Sequence, residues 1–134
     1  MREIKFRAKI QGHIGYVFGV PHNVYHDSEH KDKWFDSMQY MDEYGKPTVE
    51  YIEQDTLSEY TGLKDKNGVE IYEGDVLRGY GKEIKRYIVS FENGSFVLHH
   101  EFARWGLLYR MFEIDMKDMP VEVIGNIHEN PELI

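Results

Sequence analysis

The chain contains no cysteine, which removes disulfide scaffolds, thiolate zinc sites, iron–sulfur clusters and thiol nucleophiles together and suits a reducing compartment. It has no long apolar run. Its first seven residues, Met1-Arg2-Glu3-Ile4-Lys5-Phe6-Arg7, alternate charged and apolar side chains, a pattern of neither a signal peptide nor a membrane anchor. Positive charge is in short supply: 16 lysines and arginines stand against 24 acidic residues, a formal net charge of -8. The mean field therefore repels phosphate backbones and disfavours non-specific nucleic-acid binding. A Gly-Lys-Ser/Thr phosphate loop, a Gly-x-Ser-x-Gly elbow and a His-Glu-x-x-His pair are all missing, so the ordinary enzyme signatures are absent. Together these absences lead to the expectation of a soluble cytoplasmic protein with no evident catalytic apparatus.

What remains is a chain of 134 residues, 41% hydrophobic and 14% aromatic, read as one domain over 1–134 that is large enough to bury a core unaided. Ile4, Phe6, Ala8 and Ile10 alternate with charged residues, the period of a strand with one buried and one wet face. A second strand over 16–20 is ended by Pro21, and Gln11-Gly12-His13 can join the two as a hairpin. From 21 to 47 the period is lost among His22, His26, His30 and several charged residues, which predicts a loop-rich insertion. Within it, Trp34, Phe35, Met38 and Met41 are spaced near a helical face and predict a short helix over 28–40. Val49 and Tyr51 mark a further strand.

The second half is better punctuated. Asn67-Gly68 between apolar segments predicts a tight hairpin turn with positive φ angles, and Tyr72-Glu73-Gly74-Asp75 a second turn before Val76-Leu77-Arg78. Residues 79–82 read as a loop. Asn93-Gly94 sets a specific register: Glu92 faces Ser95, Phe91 faces Phe96, Val89 faces Leu98 and Tyr87 faces His100. That register gathers Phe91, Phe96, Val89 and Leu98 on one apolar face, so Phe91 is expected in the core. Phe102, Trp105, Leu108, Tyr109 and Phe112 predict a helix or an irregular covering segment, and 121–127 a closing strand. There is no internal repeat.

Three segments stand out: Met1-Arg2-Glu3-Ile4-Lys5-Phe6-Arg7-Ala8, the run from Tyr60-Thr61-Gly62-Leu63-Lys64-Asp65 through Asn67-Gly68 to Gly74-Asp75-Val76, and Val123-Ile124-Gly125-Asn126-Ile127-His128-Glu129-Asn130-Pro131-Glu132-Leu133. Together they resemble the YopX family of phage and prophage proteins. Lys9 stands where a tryptophan commonly follows the opening Arg-Ala, and residues 21–47 look peculiar to this chain. The resemblance implies a mainly β fold, with N-terminal strands and the variable insertion in 1–59 and an SH3-type barrel region in 60–134. It implies no activity, cofactor or catalytic residue.

Candidate chemistry is sparse. His22, His26 and His30 would share a helical face and could ligate zinc or nickel, but without helical periodicity a solvated loop is the better reading. His99-His100-Glu101 resembles an acid–base cluster, yet neighbouring strand residues point to opposite faces. Glu70, Glu73 and Asp75 could hold a divalent cation, although Asp75 after Gly74 is better placed to accept backbone N–H bonds. Trp34, Phe35, Tyr80 and Trp105 are aromatic candidates for a binding surface, and Lys82, Lys85 and Arg86 form a local basic patch. The leading expectation is a non-enzymatic phage or prophage accessory protein that needs no cofactor. It binds a host or phage protein and forms a homo-oligomer through exposed strand edges. A nucleic-acid-binding small barrel and a metal-dependent enzyme using the histidines are the alternatives.

Overall fold

A computed structural model describes residues 3–22, 35–53, 55–79, 85–100, 103–107 and 121–134. Their regular structure is strand throughout, apart from one 3-10 turn at Pro131–Leu133. The strands are β1 (Phe6–Lys9), β2 (Tyr16–His22), β3 (Ser37–Met41), β4 (Pro47–Tyr51), β5 (Ser58–Lys64), β6 (Glu70–Tyr72), β7 (Asp75–Gly79), β8 (Lys85–Glu92), β9 (Ser95–His100), β10 (Ala103–Leu107) and β11 (Val121–Asn126). They form two antiparallel sheets, ordered β4-β3-β2-β1-β5-β6 and β10-β9-β8-β7-β11. The fold is therefore mainly β. The chain divides into compact units at Glu59/Tyr60.

In the unit Glu3–Glu59, β1 to β4 follow one another as a meander. The expected β1–β2 hairpin is present, with Ala8 opposite Val17 and Lys9 opposite Tyr16. The far end of β1 returns to β4: Ile10 bridges Ile52, the Gln11 N–H donates to the Tyr51 carbonyl at 3.1 Å and the Glu53 N–H to the Lys9 carbonyl at 2.7 Å. One face of these strands buries Ala8, Ile10, Met38 and Ile52, with Phe6, Val17, Tyr40 and Leu57 packed against them. Gly19 sits where β2 and β3 are too close for a side chain, since a Cβ there would lie 2.0 Å from the Gln39 carbonyl oxygen.

Three expectations for this region are corrected. Ser37–Met41 is a strand, not part of a helix. Met38 is fully buried and Met41 is 61% exposed, so the two methionines point to opposite faces as period 2 demands. The reason is the turn that follows. Asp42 Oδ1 accepts the N–H groups of Tyr44 and Lys46 at 2.9 and 2.8 Å, and Gly45 takes φ 77°, which folds β3 back on β4 and rewards alternation. The 21–47 stretch is consequently not irregular over 35–47, while 23–34 lie outside the described residues. Pro21, finally, does not end β2. The strand runs on to His22, with Pro21 opposite Met38. Beyond Gly19 β2 has no partner on its β1 side, and a sheet tolerates proline on an open flank.

In the unit from Tyr60 onward, β5 and β6 form a hairpin around residues 65–69, but not by the expected turn. Asn67 is absent from the positive-φ residues. Instead Asp65 Oδ1 accepts from Asn67 and Val69 N–H at 2.8 and 2.9 Å, with Gly68 alone at φ 80°. This is a type I turn closed by a glycine bulge, built as the Asp42–Gly45 turn is. Asp65 Oδ2 also accepts the N–H of Val123 on β11 at 2.9 Å.

The β8–β9 hairpin has the expected register, with Glu92 opposite Ser95, Phe91 opposite Phe96 and Val89 opposite Leu98. Asn93 and Gly94 both have positive φ, 50° and 80°, as a type I′ turn requires. Ile71, Leu77, Tyr87, Val89, Phe96, Leu98 and Val121 form the core, with Leu63 and Val123 against it. Phe91 departs from expectation: it meets Phe96 edge-on, centroids 5.0 Å apart, yet is 45% exposed at the end of the apolar face. Residues 103–107, expected in a helix or irregular segment, form β10 against β9, and a register shift between Arg104 and Gly106 accounts for a glycine within a strand. The implied SH3-type barrel is not formed by the described strands. Closure needs a ladder between the outer strands, and β10 and β11 are the two edges of their sheet.

Two outcomes are expected on denaturant unfolding. Phe96→Ala costs about 3–5 kcal/mol through the cavity it leaves, whereas half-exposed Phe91→Ala costs about 1 kcal/mol. Equal losses would place Phe91 in the core after all. Asp65→Ala costs about 3 kcal/mol because buried N–H groups lose their acceptor, against about 1 kcal/mol for Asp42→Ala at its exposed turn. Similar costs at both turns would mean that the link to Val123 adds nothing.

Candidate functional site

The residues singled out from the sequence do not converge. His22 lies on β2 opposite Ser37, which removes it from any helix shared with His26 and His30, and those two lie outside the described residues, as do Trp34, Tyr80 and Lys82. Phe35 precedes β3 and is exposed; Trp105 lies on β10. Lys85 and Arg86 are consecutive on β8, opposite Gly79 and Arg78, so their side chains leave the sheet on opposite faces. Arg86 Nη1 donates to the Leu133 carbonyl at 3.4 Å, and Arg78 has Glu122 on its other flank. His99 and His100 diverge as expected: His99 Nε2 meets Glu92 Oε1 at 2.9 Å, while the His100 ring stands 5.5 Å from that of Tyr87. Asp75 Oδ2 accepts the Tyr72 N–H at 2.8 Å, the turn role foreseen for it. Among the described residues no three His, Asp or Glu side chains are placed to hold a metal ion.

The structure instead brings together side chains of the Glu3–Glu59 unit that sequence reasoning missed. The β1–β2 connection and the β3–β4 turn lie side by side and enclose an open cleft of about 640 Å³, lined by His13, Ile14, Tyr16, Val17, Phe18, Tyr40, Met41, Asp42 and Glu43. Two of the lining side chains share a partner on β4: a single carboxylate oxygen, Glu50 Oε2, accepts the Tyr40 hydroxyl at 2.7 Å and contacts His13 Nε2 at 3.1 Å. Burial, the hydrogen bond to Glu50 and the charges of Glu50 and Asp42 push the Tyr40 phenol up to about 12 from its ordinary 10.0. A phenol so weakly acidic is a fixed hydrogen-bond donor near neutral pH and a poor proton shuttle. The cleft is thus equipped to hold charge and shape. Tyr40 and Glu50 meet because Met38, not Tyr40, stands opposite Glu50, which makes them diagonal neighbours across the hairpin. The signal that could have revealed this was Asp42-Glu43-Tyr44-Gly45, which has the Asp-x-x-Gly form of Asp65-Lys66-Asn67-Gly68.

The opposite face of the same strands is open and largely apolar, with exposed Gln39 between Val20 and Val49. Phe18, Val20, Met41, Val49 and Tyr51 occupy alternate positions on β2, β3 and β4 and are between 42% and 61% exposed. On the β1 flank, Arg7 and Lys9 lie over the Tyr16 ring, 4.5 and 5.9 Å from its centroid.

Folding favours the protonated Tyr40 phenol. Its contribution to stability is complete below about pH 10 and is lost as the pH rises from about 10 towards 12. Titrating phenolate absorbance in the protein and in Tyr40→Phe isolates this group from Tyr87, whose phenol burial also raises. The difference curve is expected near pH 12, and a difference centred at 10 would show that neither burial nor the Glu50 contact acts on this phenol.

The crystal structure of protein EF1440 from Enterococcus faecalis resembles the chain with a TM-score of 0.60 at 27% identity, covering 99% of each chain. No curated protein matches it. Among the described residues no helix is long and apolar enough to cross a membrane. The family model described as YopX protein matches residues 5–134, nearly the whole length, including the second and third segments quoted above and the latter half of the first. The chain belongs to the YopX family.

Proposed function

We propose that the protein is a non-enzymatic, phage- or prophage-encoded accessory module of the bacterial cytoplasm that binds a host or phage protein through the outer face of β2, β3 and β4. The observation that supports this reading is the exposure of Phe18, Val20, Met41, Val49 and Tyr51 on one continuous face. An exposed apolar patch rimmed by polar residues is the usual mark of a protein-binding surface. Phe35, exposed just before β3, extends the aromatic content nearby. Self-association belongs to the same proposal, because β4, β6 and β10 are sheet edges among the described strands and edge strands either pair or need protection. A nucleic-acid reading finds less support. Arg86 is engaged with a backbone carbonyl, Arg78 has an acidic neighbour in Glu122, and the net charge is -8.

The test is affinity capture from infected cells with the protein and with a Phe18→Ser/Val49→Ser variant, identifying bound protein and nucleic acid together. Both substitutions are at exposed sites and should cost less than about 1 kcal/mol, which thermal unfolding verifies. A protein partner retained at moderate salt and lost in the variant is the expected result. Capture of nucleic acid that is abolished by Lys85→Glu/Arg86→Glu and indifferent to the apolar variant would overturn the proposal.

A further inference from the structure

We infer that two copies of this chain associate about a two-fold axis at the mouth of the cleft, each placing Ile14 in the cleft of the other. The inference rests on the self-association proposed above and names its surface, the face of β1 to β3 rather than a strand edge. Ile14 is fully exposed, at 105%, on a connection that is held in place. Gly12 and Gly15 on either side take φ of 78° and 81°, the His13 N–H donates to the Ile10 carbonyl at 3.1 Å, and Glu50 engages the His13 ring. A large apolar side chain on a fixed turn is presented without the entropy cost of ordering a loose loop on binding. Beside it lies the open cleft of about 640 Å³, whose walls include Tyr16, Val17, Phe18, Tyr40 and Met41.

The placing of charge selects a second copy as the occupant. On the β1 side, Arg7 and Lys9 lie over the ring of Tyr16, itself a wall of the cleft, while Asp42 and Glu43 border the cleft on the β3–β4 side. The surface is therefore basic along one side and acidic along the other. Such a surface matches its own image: a half-turn about an axis in the contact plane, parallel to β2 and β3, sets the basic side of each copy against the acidic side of the other. The apolar middle matches in the same way. Phe18 on β2 and Met41 on β3 lie one step beyond the Gly19–Tyr40 pair and are 54% and 61% exposed, and the half-turn sets each Phe18 against the other copy's Met41. An isologous contact of this kind closes with two copies. It leaves Val49 and Tyr51, further along on β4, to the outer-face partner.

Sedimentation equilibrium of the purified full chain, with nothing else added, is the test. The wild-type chain should dimerise with a dissociation constant on the order of 10 μM. Ile14→Ser should weaken the dimer by about tenfold or more, and it should leave thermal unfolding unchanged because the side chain it alters is fully exposed. Lys9→Glu and Glu43→Lys should each weaken the dimer by about tenfold, since each sets like charges against one another in both halves of the contact. An equimolar mixture of these two variants should dimerise again, because every reversed charge then meets an opposite one. A wild-type chain that stays monomeric at the highest concentration, a dimer indifferent to Ile14→Ser, or charge variants whose mixture stays monomeric overturns the inference. Partner capture with the Ile14→Ser variant reads the outer-face proposal separately: capture retained there keeps that proposal whichever way the sedimentation falls.

Discussion

A buried carboxylate must be given hydrogen-bond donors or it destabilises the fold that buries it, and at Asp65 that requirement organises the second unit. Asp65 is 7% exposed and takes backbone N–H groups from Asn67 and Val69 within its own turn and from Val123, 58 residues further on. One side chain therefore shapes the β5–β6 hairpin and holds β11 beside it. With β11 in place, Val121 and Val123 close over Ile71 and Leu77, and the sheet from β7 to β10 has a core to bury. Hydrophobic burial supplies most of the free energy, while the carboxylate decides which strand is present to receive it.

The same economy explains why the family likeness says so much about fold and so little about chemistry. Within the segments that carry the likeness, several polar side chains are occupied by backbone. Asp75 holds the Tyr72 N–H, Asn126 Oδ1 accepts from His128 and Glu129, and Asn130 Oδ1 accepts from the Asn126 N–H. Gly125 passes so near the Asn130 side chain that a Cβ there would lie 2.6 Å from Oδ1. Such residues specify turns. The Tyr40–Glu50–His13 cluster and the open outer face of β2, β3 and β4 lie instead in the Glu3–Glu59 unit.

Legibility followed the same division. The register of the β8–β9 hairpin could be read because turn chemistry and apolar alternation agreed, and the Tyr87 and His100 rings do meet, 5.5 Å between centroids. At Asn67-Gly68 a hairpin was legible but its turn was not, because the deciding residue was Asp65, two positions earlier, acting through its side chain. Around 35–47 the equivalent Asp42 turn went unread, and the accidental spacing of Trp34, Phe35, Met38 and Met41 imitated a helix. The cost of that misreading was the candidate site itself. Tyr40 and Glu50 come together only when β3 and β4 pair, which the Asp42 turn could have announced, but His13 joins them only when the β1–β2 connection lies beside them, and no local pattern announces that. The depth of Phe91 was likewise invisible, since alternation assigns a face but not the distance from the end of a sheet.

The return of β1 to β4, and then to the start of β5, also bears on how the chain matures as it leaves the ribosome. Ile10 waits for Ile52, and Phe6 and Arg7 for Glu59 and Ser58, so the first strand to be made is among the last of its unit to be fully paired. β7 waits about as long, since Gly79 pairs with Val121 and Asp75 with Asn126. Pairings of such long sequence separation are slow to close, and strands that emerge early with their partners still unmade are open to mispairing. A nascent chain of this protein therefore depends for its first half on local hairpins, β1–β2 and β3–β4, each able to form on its own while synthesis continues.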